Sequence, residues 1–322
     1  MVTKLGTSIE EAAKWLMNND VVAIPTETVY GLAGNALNEE AVLKIFKAKN
    51  RPYFNPLIVH TYHWKAISGY VSFVPKEAEI IASHFSPGPV TFLLEKHNTI
   101  PDLVTAGFNK VAIRIPNHLL TLSLLKELPF PLAAPSANRF GYVSPTTAAH
   151  VQEGLNGFIP YILDGGPCSI GLESTIIDFE EGEVIIRRSG GISAEAIAEV
   201  IGRQVHIRTH ANEHPVAPGQ LKSHYATNTP LYIGNTDRLI PAFKGQKVAV
   251  IDFGKTTVSH ADFRFNLSEE GNMDEAARNL FMVMRQADSC GAAVILATTL
   301  PENGIGAAIN DRLKRAEHTS KI

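Results

Sequence analysis

A chain of 322 residues, 45% hydrophobic and 19% charged, carries enough apolar material for a real core. That excludes a disordered or collagen-like protein and leads to the expectation of one large and one small domain. The net charge of -3 and a pI near 6.5 argue against a surface built to coat a phosphate backbone, while leaving room for a local basic pocket.

Only Cys168 and Cys290 are present, far apart, so neither a disulfide framework nor a cysteine zinc site is suggested and a reducing cytoplasm is the expected location. The stretch MVTKLGTSIEEAAKWLMNND lacks the apolar core and cleavage site of a signal peptide. It predicts an amphipathic helix with Ile9, Ala12, Ala13 and Leu16 on one face and Thr7 or Ser8 as cap. No apolar run approaches the roughly 18 residues of a membrane span, so no membrane insertion is expected.

VVAI at 21–24 predicts a buried strand, and PTETVYGL at 25–32 follows it with three hydroxyls and a carboxylate. Strand ends are favoured places for ligands in α/β proteins. The same letters also suit a capped turn, since Pro, Thr and Gly are ordinary loop formers. A helix over 39–49 ends at Lys49, and Arg51 enters the loop RPYFNP; both cations could answer the helix dipole or face a ligand. LIVH at 57–60 predicts a strand ending in His60, which could equally be a satisfied core histidine.

Further strands are predicted at 90–95, 111–115, 131–134 and 161–164, with helices over 75–84, 117–127, 145–153 and 193–201. Arg114 lies inside the apolar strand VAIRIP and needs a buried anion, from the protein or from a ligand. In APSANRFGYVSPTT, Ser136 and Asn138 are spaced to point the same way from an extended chain. Ser144 with Pro145 could be a helix cap and first-turn proline or part of a binding site. STIIDF and EVIIRR predict a hairpin around Glu-Glu-Gly, with Ser174 at its start and Arg187 and Arg188 at its end. Hydroxyls and amides dominate, and no nucleophile with an adjacent base is evident, which favours positioning and electrostatic catalysis on a small polar substrate.

Residues 205–229 are polar and rich in His and Pro, as expected of an interdomain linker, though His224 and Tyr225 are odd choices for a passive tether. LYI, KVAVIDF and AAVILAT then predict strands, with helices from about 273 to 288 and 307 to 317, in a small, mostly parallel α/β domain. DFGKTT at 252–257 does not complete a P-loop, because Ala249 stands where the first glycine is required.

PTETVYGL, the KNR of 49–51, RPYFNPLIVH, VAIRIP, APSAN, and GLESTIID followed by IIRRSG resemble, in this order and spacing, the YrdC-like family. VAPGQLKSHYAT resembles the linker of its two-domain members, the threonylcarbamoyl-AMP synthases, but reads QLKSHYAT where many of these linkers read MKYRHYAP. The resemblance implies a YrdC-like twisted open mixed sheet with a concave basic cavity, plus a smaller C-terminal α/β (Rossmann-like) domain. The corresponding division is 1-204, a linker at 205-229, and 230-322.

It also implies a nucleotidyltransferase that makes threonylcarbamoyl-adenylate and pyrophosphate from ATP, L-threonine and bicarbonate. Mg2+ is expected with the ATP phosphates rather than in a protein cage. A downstream tRNA threonylcarbamoyl transferase complex would take the product, and a tRNA contact is a further expectation. Carried over by position, Thr28, His60, Arg114 and Ser174 resemble the residues that hold threonine, with Ala134 contributing backbone. Lys49, Arg51, Asn55, Ser136, Asn138, Ser144 and Arg188 resemble those around the phosphates and adenosine, with Lys110 a further candidate and Tyr225 closing over the nucleotide. Catalysis would fall to Lys49 and Arg51, with Tyr30 beside the carbamate carbon. An RNA-binding or ribosome-associated module using the same concave surface is the alternative, against which the acidic pI weighs.

Overall fold

The computed structural model describes residues 2–209, 224–255 and 260–318. Two compact units emerge, one within Met1–Phe140, Pro145–Ser169 and Glu173–Leu221, the other within Gly141–Ser144, Ile170–Leu172 and Lys222–Ile322.

Among the described residues the first unit is built on one sheet of eleven strands. They are β1 (Lys4–Gly6), β2 (Val22–Ile24), β3 (Gly31–Asn35), β4 (Ile58–His60), β5 (Val90–Glu95), β6 (Lys110–Arg114), β7 (Leu132–Ala133), β8 (Tyr161–Leu163), β9 (Thr175–Glu180), β10 (Glu183–Arg188) and β11 (His206–Ile207). Their spatial order is β1-β8-β2-β3-β7-β4-β6-β5-β9-β10-β11. Parallel pairs such as β4 with β6 alternate with antiparallel ones such as β5 with β6 and β9 with β10, so the sheet is mixed and not doubly wound. The β9–β10 hairpin turns where expected: Glu181 at φ 49° and Gly182 at φ 81° supply the two positive dihedrals of a tight primed turn.

The helices follow their sequence signals closely. In α1 (Ile9–Met17) the Ser8 hydroxyl accepts from the Glu11 amide, and Ala12, Ala13 and Leu16 are buried. Asn38 caps α2 (Glu39–Lys49), which ends on Asn50 in the left-handed region. The remaining helices of this unit are α3 (Lys76–Phe85), the single turn α4 (Asp102–Thr105), α5 (Leu119–Glu127), α6 (Ala148–Leu155) and α7 (Ala194–Ile201). Apolar clusters hold the sheet, a small one of Ile58, Leu93, Ala112 and Ile176 and two larger ones. One includes Leu32, Ile45, Phe46, Val59, Phe92 and Ile113; the other includes Leu16, Val22, Ile24, Leu124 and Leu163.

Besides β1 and α4, and α8 (Thr236–Leu239) and β14 (Phe263–Asn266) of the second unit, which the sequence reading did not contain, three features depart from it. β3 has the sequence GLAGN, and its glycines conceal it from strand propensity. Both sit in tight packing, since a Cβ at Gly31 would lie 3.2 Å from the Ala134 Cβ and one at Gly34 3.2 Å from Ile45 Cδ1. Secondly, the stretch read as linker begins with β11, which pairs with β10, and residues 210–223 of that stretch lie outside the described residues. Thirdly, Ser144 does not cap α6; that cap is Thr147, which accepts from the His150 amide.

In the second unit β12 (Leu231–Ile233), β13 (Val248–Asp252), β14 (Phe263–Asn266) and β15 (Val294–Ala297) form a wholly parallel sheet in the order β12-β15-β13-β14. Helices α8 (Thr236–Leu239), α9 (Met273–Ser289) and α10 (Ile305–Ala316) accompany it. Asp288 near the end of α9 accepts from the Tyr142 hydroxyl at 2.7 Å and the Thr229 amide at 2.8 Å, fastening both segments to this unit.

Gly190 marks the tightest backbone approach near the sequence-predicted site. A Cβ there would lie 2.3 Å from the Glu173 carbonyl oxygen and 2.5 Å from the Ser174 carbonyl carbon and the Thr175 nitrogen. Gly190→Ala is expected to lose about 1–3 kcal/mol in urea unfolding. Gly182→Ala, with open space but a positive φ, should cost about 1–2 kcal/mol from backbone strain alone.

Candidate functional site

The sheet register brings the two central candidates together. β4 and β6 run parallel with His60 beside Arg114, and both side chains are buried at the carboxyl ends of their strands. The Arg114 Nε donates to the Gly88 carbonyl at 3.3 Å, and its Nη2 lies 2.8 Å from the Glu27 Oε2. Both residues of that pair are about 95% buried, with side chains 5% exposed. The contact is an ion pair out of line for a hydrogen bond, so Nη2 and both Glu27 oxygens have no hydrogen-bond partner. The anion that Arg114 requires is therefore Glu27.

His60 is held neutral. Burial, and then the Arg114 charge, push its pKa down to about 3, while Nδ1 lies 3.2 Å from the Ile58 carbonyl.

The loop carrying Glu27 is set by its threonines. Thr26 Oγ1 accepts from the Thr28 and Val29 amides, each at 3.2 Å, and lies 2.8 Å from the Thr28 Oγ1. Thr26 is thus a turn residue, while Thr28 is fully buried beside it. Tyr30 leaves the catalytic set. Its hydroxyl donates to the Gly166 carbonyl at 2.7 Å, accepts from the Gly165 amide at 3.2 Å and contacts Asp164, and burial pushes its pKa up. A phenol so engaged ties the strand to the 164–166 turn and is not a proton carrier at neutral pH.

A second group forms at the end of α2. Lys49 is 1% exposed, and its Nζ donates to the Ser136 and Asn138 carbonyls, both at 2.5 Å. Burial, with Arg51 adding to it, pushes its pKa well down. Arg51 donates to the Asn55 and Pro56 carbonyls, which folds RPYFNP back on the helix end. This leaves the Asn55 amide fully buried with neither Nδ2 nor Oδ1 partnered. Ser136 bridges to Gly31, and the Asn138 Nδ2 donates to the Arg139 carbonyl. The Ala134 amide is consumed by the Ile58 carbonyl at 2.9 Å, so only its carbonyl could serve a ligand.

Ser174 and Arg188 make a third group. The Ser174 Oγ lies 2.7 Å from Thr91 Oγ1, and Arg188 Nη2 donates to the Ser174 carbonyl at 2.9 Å and to its hydroxyl at 3.1 Å. Arg187, on the other face of β10, pairs with Asp178 and Glu180.

Lys110 is not brought to these groups, and two further candidates belong to the other unit. Lys110 stands four residues before Arg114 on β6, where Asp178 takes its ammonium at 2.6 Å; an ion pair, not a phosphate, explains it. Ser144 is fully buried but belongs to the second unit. Tyr225 also belongs there: its ring is 1% exposed, stacked 5.4 Å from Phe281 and 5.6 Å under the Arg312 guanidinium. Within its own unit it is therefore a core residue.

Sequence reasoning missed Glu27 and His118. Glu27 was visible inside PTETVYGL, but its pairing with a strand far along the chain was not. His118 precedes α5, and its Nδ1 has no hydrogen-bond partner; burial lowers its pKa, opposed by a backbone contact to Gly165 and then by the Glu27 charge. No local pattern marks it.

A family model described as telomere recombination, the Sua5–YciO–YrdC domain, matches residues 14–190, and the threonylcarbamoyl-AMP synthase C-terminal domain matches residues 192–317. The threonylcarbamoyl-AMP synthase of Pyrococcus abyssi is 41% identical, covering 96% of this chain and 93% of that protein. That of Bacillus subtilis is 40% identical, covering 96% and 92%. The crystal structure of P. abyssi Sua5 complexed with L-threonine superposes with a TM-score of 0.90 and 39% identity over 98% of this chain and 96% of that one. The chain thus belongs to the Sua5–YciO–YrdC family, in the two-domain form of the threonylcarbamoyl-AMP synthases.

Proposed function

We propose that the chain is an L-threonylcarbamoyladenylate synthase, joining L-threonine, bicarbonate and ATP into threonylcarbamoyl-AMP with release of pyrophosphate and water. The likeness to named synthases over nearly the full length supports this reading. The observation that carries it to particular residues is that Glu27, Asn55, Arg114 and His118 hold buried polar atoms without partners. Native interiors seldom leave such atoms unpaired unless a ligand or water completes them.

In this reading threonine sits against Thr28, His60, Arg114, the Ala134 backbone and Ser174. ATP sits against Lys49, Arg51, Asn55, Ser136, Asn138 and Arg188. The threonine amine attacks carbon dioxide or activated bicarbonate, and a carbamate oxygen then attacks the α-phosphate as pyrophosphate leaves. Both steps need alignment and charge neutralisation more than a covalent nucleophile. The buried cations Lys49, Arg51 and Arg188 suit a polyanion because a water-poor surrounding strengthens each contact.

Mg2+ fits as a companion of the phosphates. Among the described residues no group of three or more His, Cys, Asp or Glu could hold a metal ion, so phosphate oxygens and water would be its ligands. The adenylate would pass to a separate transferase acting on tRNA. Among the described residues no helix is long and apolar enough to cross a membrane.

Purified protein with ATP, Mg2+ and labelled bicarbonate should form a labelled AMP adduct and pyrophosphate only when threonine is added. Salt-sensitive RNA binding without turnover would instead favour the RNA-binding alternative. Tyr30→Phe should keep kcat/KM within about threefold while losing about 1 kcal/mol of stability, because its hydroxyl is a tie and not a proton carrier.

His60 generates a pH prediction. Its folded pKa, about 3, lies below the unfolded value, so the unfolded chain takes up the proton first. Its contribution is intact above about pH 6.5 and is lost as pH falls toward 3, with a slope of about 1.4 kcal/mol per unit. Urea unfolding from pH 7 to pH 4 should show a slope shallower by about one proton in His60→Gln than in the unsubstituted protein.

A further inference from the structure

Glu27 and Arg114 form an unusual pair. Each is almost completely buried, they touch at 2.8 Å, and yet neither Glu27 oxygen nor the facing Arg114 nitrogen makes a hydrogen bond. Desolvating two ions is repaid only when hydrogen bonds fill their remaining valences. As a purely structural brace the pair is poorly made. The neighbouring Arg187–Asp178 pair shows the contrast: its Nε donates to the Asp178 Oδ2 at 2.8 Å, and Asp178 also holds Lys110 at 2.6 Å and caps the Phe179 amide at 2.8 Å.

The unfilled valences have two signs. The guanidinium offers donors for an anion, and the carboxylate offers four lone-pair positions for a cation. An α-amino acid carries both partners on one carbon. Resting on the synthase reading above, we propose that Glu27 is the specificity residue that receives the α-ammonium group of the substrate, beside Arg114, which receives its carboxylate.

The charges then alternate around the site. Before binding, Glu27 and Arg114 serve each other; after binding, each faces the opposite charge of a zwitterion. The buried region is electrically neutral in both states, so substrate enters without adding net charge to a low-dielectric interior. Holding both groups at once fixes where the nitrogen lies relative to the carboxylate, which places it for attack once it has given up a proton to solvent. The turn made by Thr26 keeps the Glu27 backbone in place, and a Cβ on Gly165 would meet both Pro25 and His118, so the region has little room to drift. A hydroxy acid would satisfy Arg114 but leave Glu27 unpaired, and the site should reject it.

Calorimetric titration tests this with L-threonine and with 3-hydroxybutanoate, the analogue that keeps the carboxylate and hydroxyl but lacks the amine. The unsubstituted protein should bind threonine at least about 10-fold more tightly, the worth of one charge-assisted hydrogen bond. Glu27→Gln should lower threonine affinity by about 10- to 100-fold, leave 3-hydroxybutanoate binding equal or tighter, and leave ATP affinity unchanged. Loss of both carboxylate ligands alike, or unchanged threonine affinity, would reduce Glu27 to a brace for Arg114 and overturn the inference alone. Should Glu27→Gln fail to fold, the unsubstituted protein still decides: equal affinity for the two ligands means that no ammonium is read. Absence of threonine binding to the unsubstituted protein would overturn the synthase reading, and this inference with it.

Discussion

Arg114 is a full charge placed by its strand in the middle of an apolar sheet, and much of the first unit is arranged around keeping it there. Its strand is flanked by β4 and β5, its Nε is held by Gly88, and its guanidinium meets Glu27 from a loop nearly ninety positions earlier in the chain. An isolated charge in such a position would cost several kcal/mol. The fold answers with one carboxylate, whose oxygens make no further hydrogen bond.

The same economy recurs around it. Lys49 has its ammonium on two backbone carbonyls and no carboxylate, and burial weakens its hold on the proton. Arg51 uses backbone carbonyls to shape the loop that sequesters Asn55. His60 stays neutral beside Arg114 because both burial and that charge oppose protonation. Elsewhere cations are fully matched, as Lys110 and Arg187 are by Asp178 and Glu180. These carboxylate pairs brace the hairpin.

Most regular elements were legible in the chain because their signals are local. Asn38 and Ser8 announce helix starts, and the runs VTFLLE and EVIIRR read as strands because branched and aromatic residues dominate them. GLAGN was not legible, since its glycines serve a close approach to Ala134 and Ile45 that only the assembled sheet reveals. β11 was hidden for a related reason: two residues become a strand through pairing with β10 and not through their own propensity.

At the site the sequence alone determined the residue types, their order and the family, because motif spacing survives without knowledge of contacts. It singled out Arg114 as a charge in need of an anion, and it placed Lys49, Arg51, Ser136, Asn138 and Ser174 in the same chemical story. Only the tertiary structure decided which groups are spoken for: Tyr30 by the 164–166 turn, Lys110 by Asp178, Tyr225 by Phe281 and Arg312, and Arg114 by Glu27. The reason is physical. A side chain's chemistry belongs to its residue, but its availability depends on burial and partners supplied by segments distant in sequence.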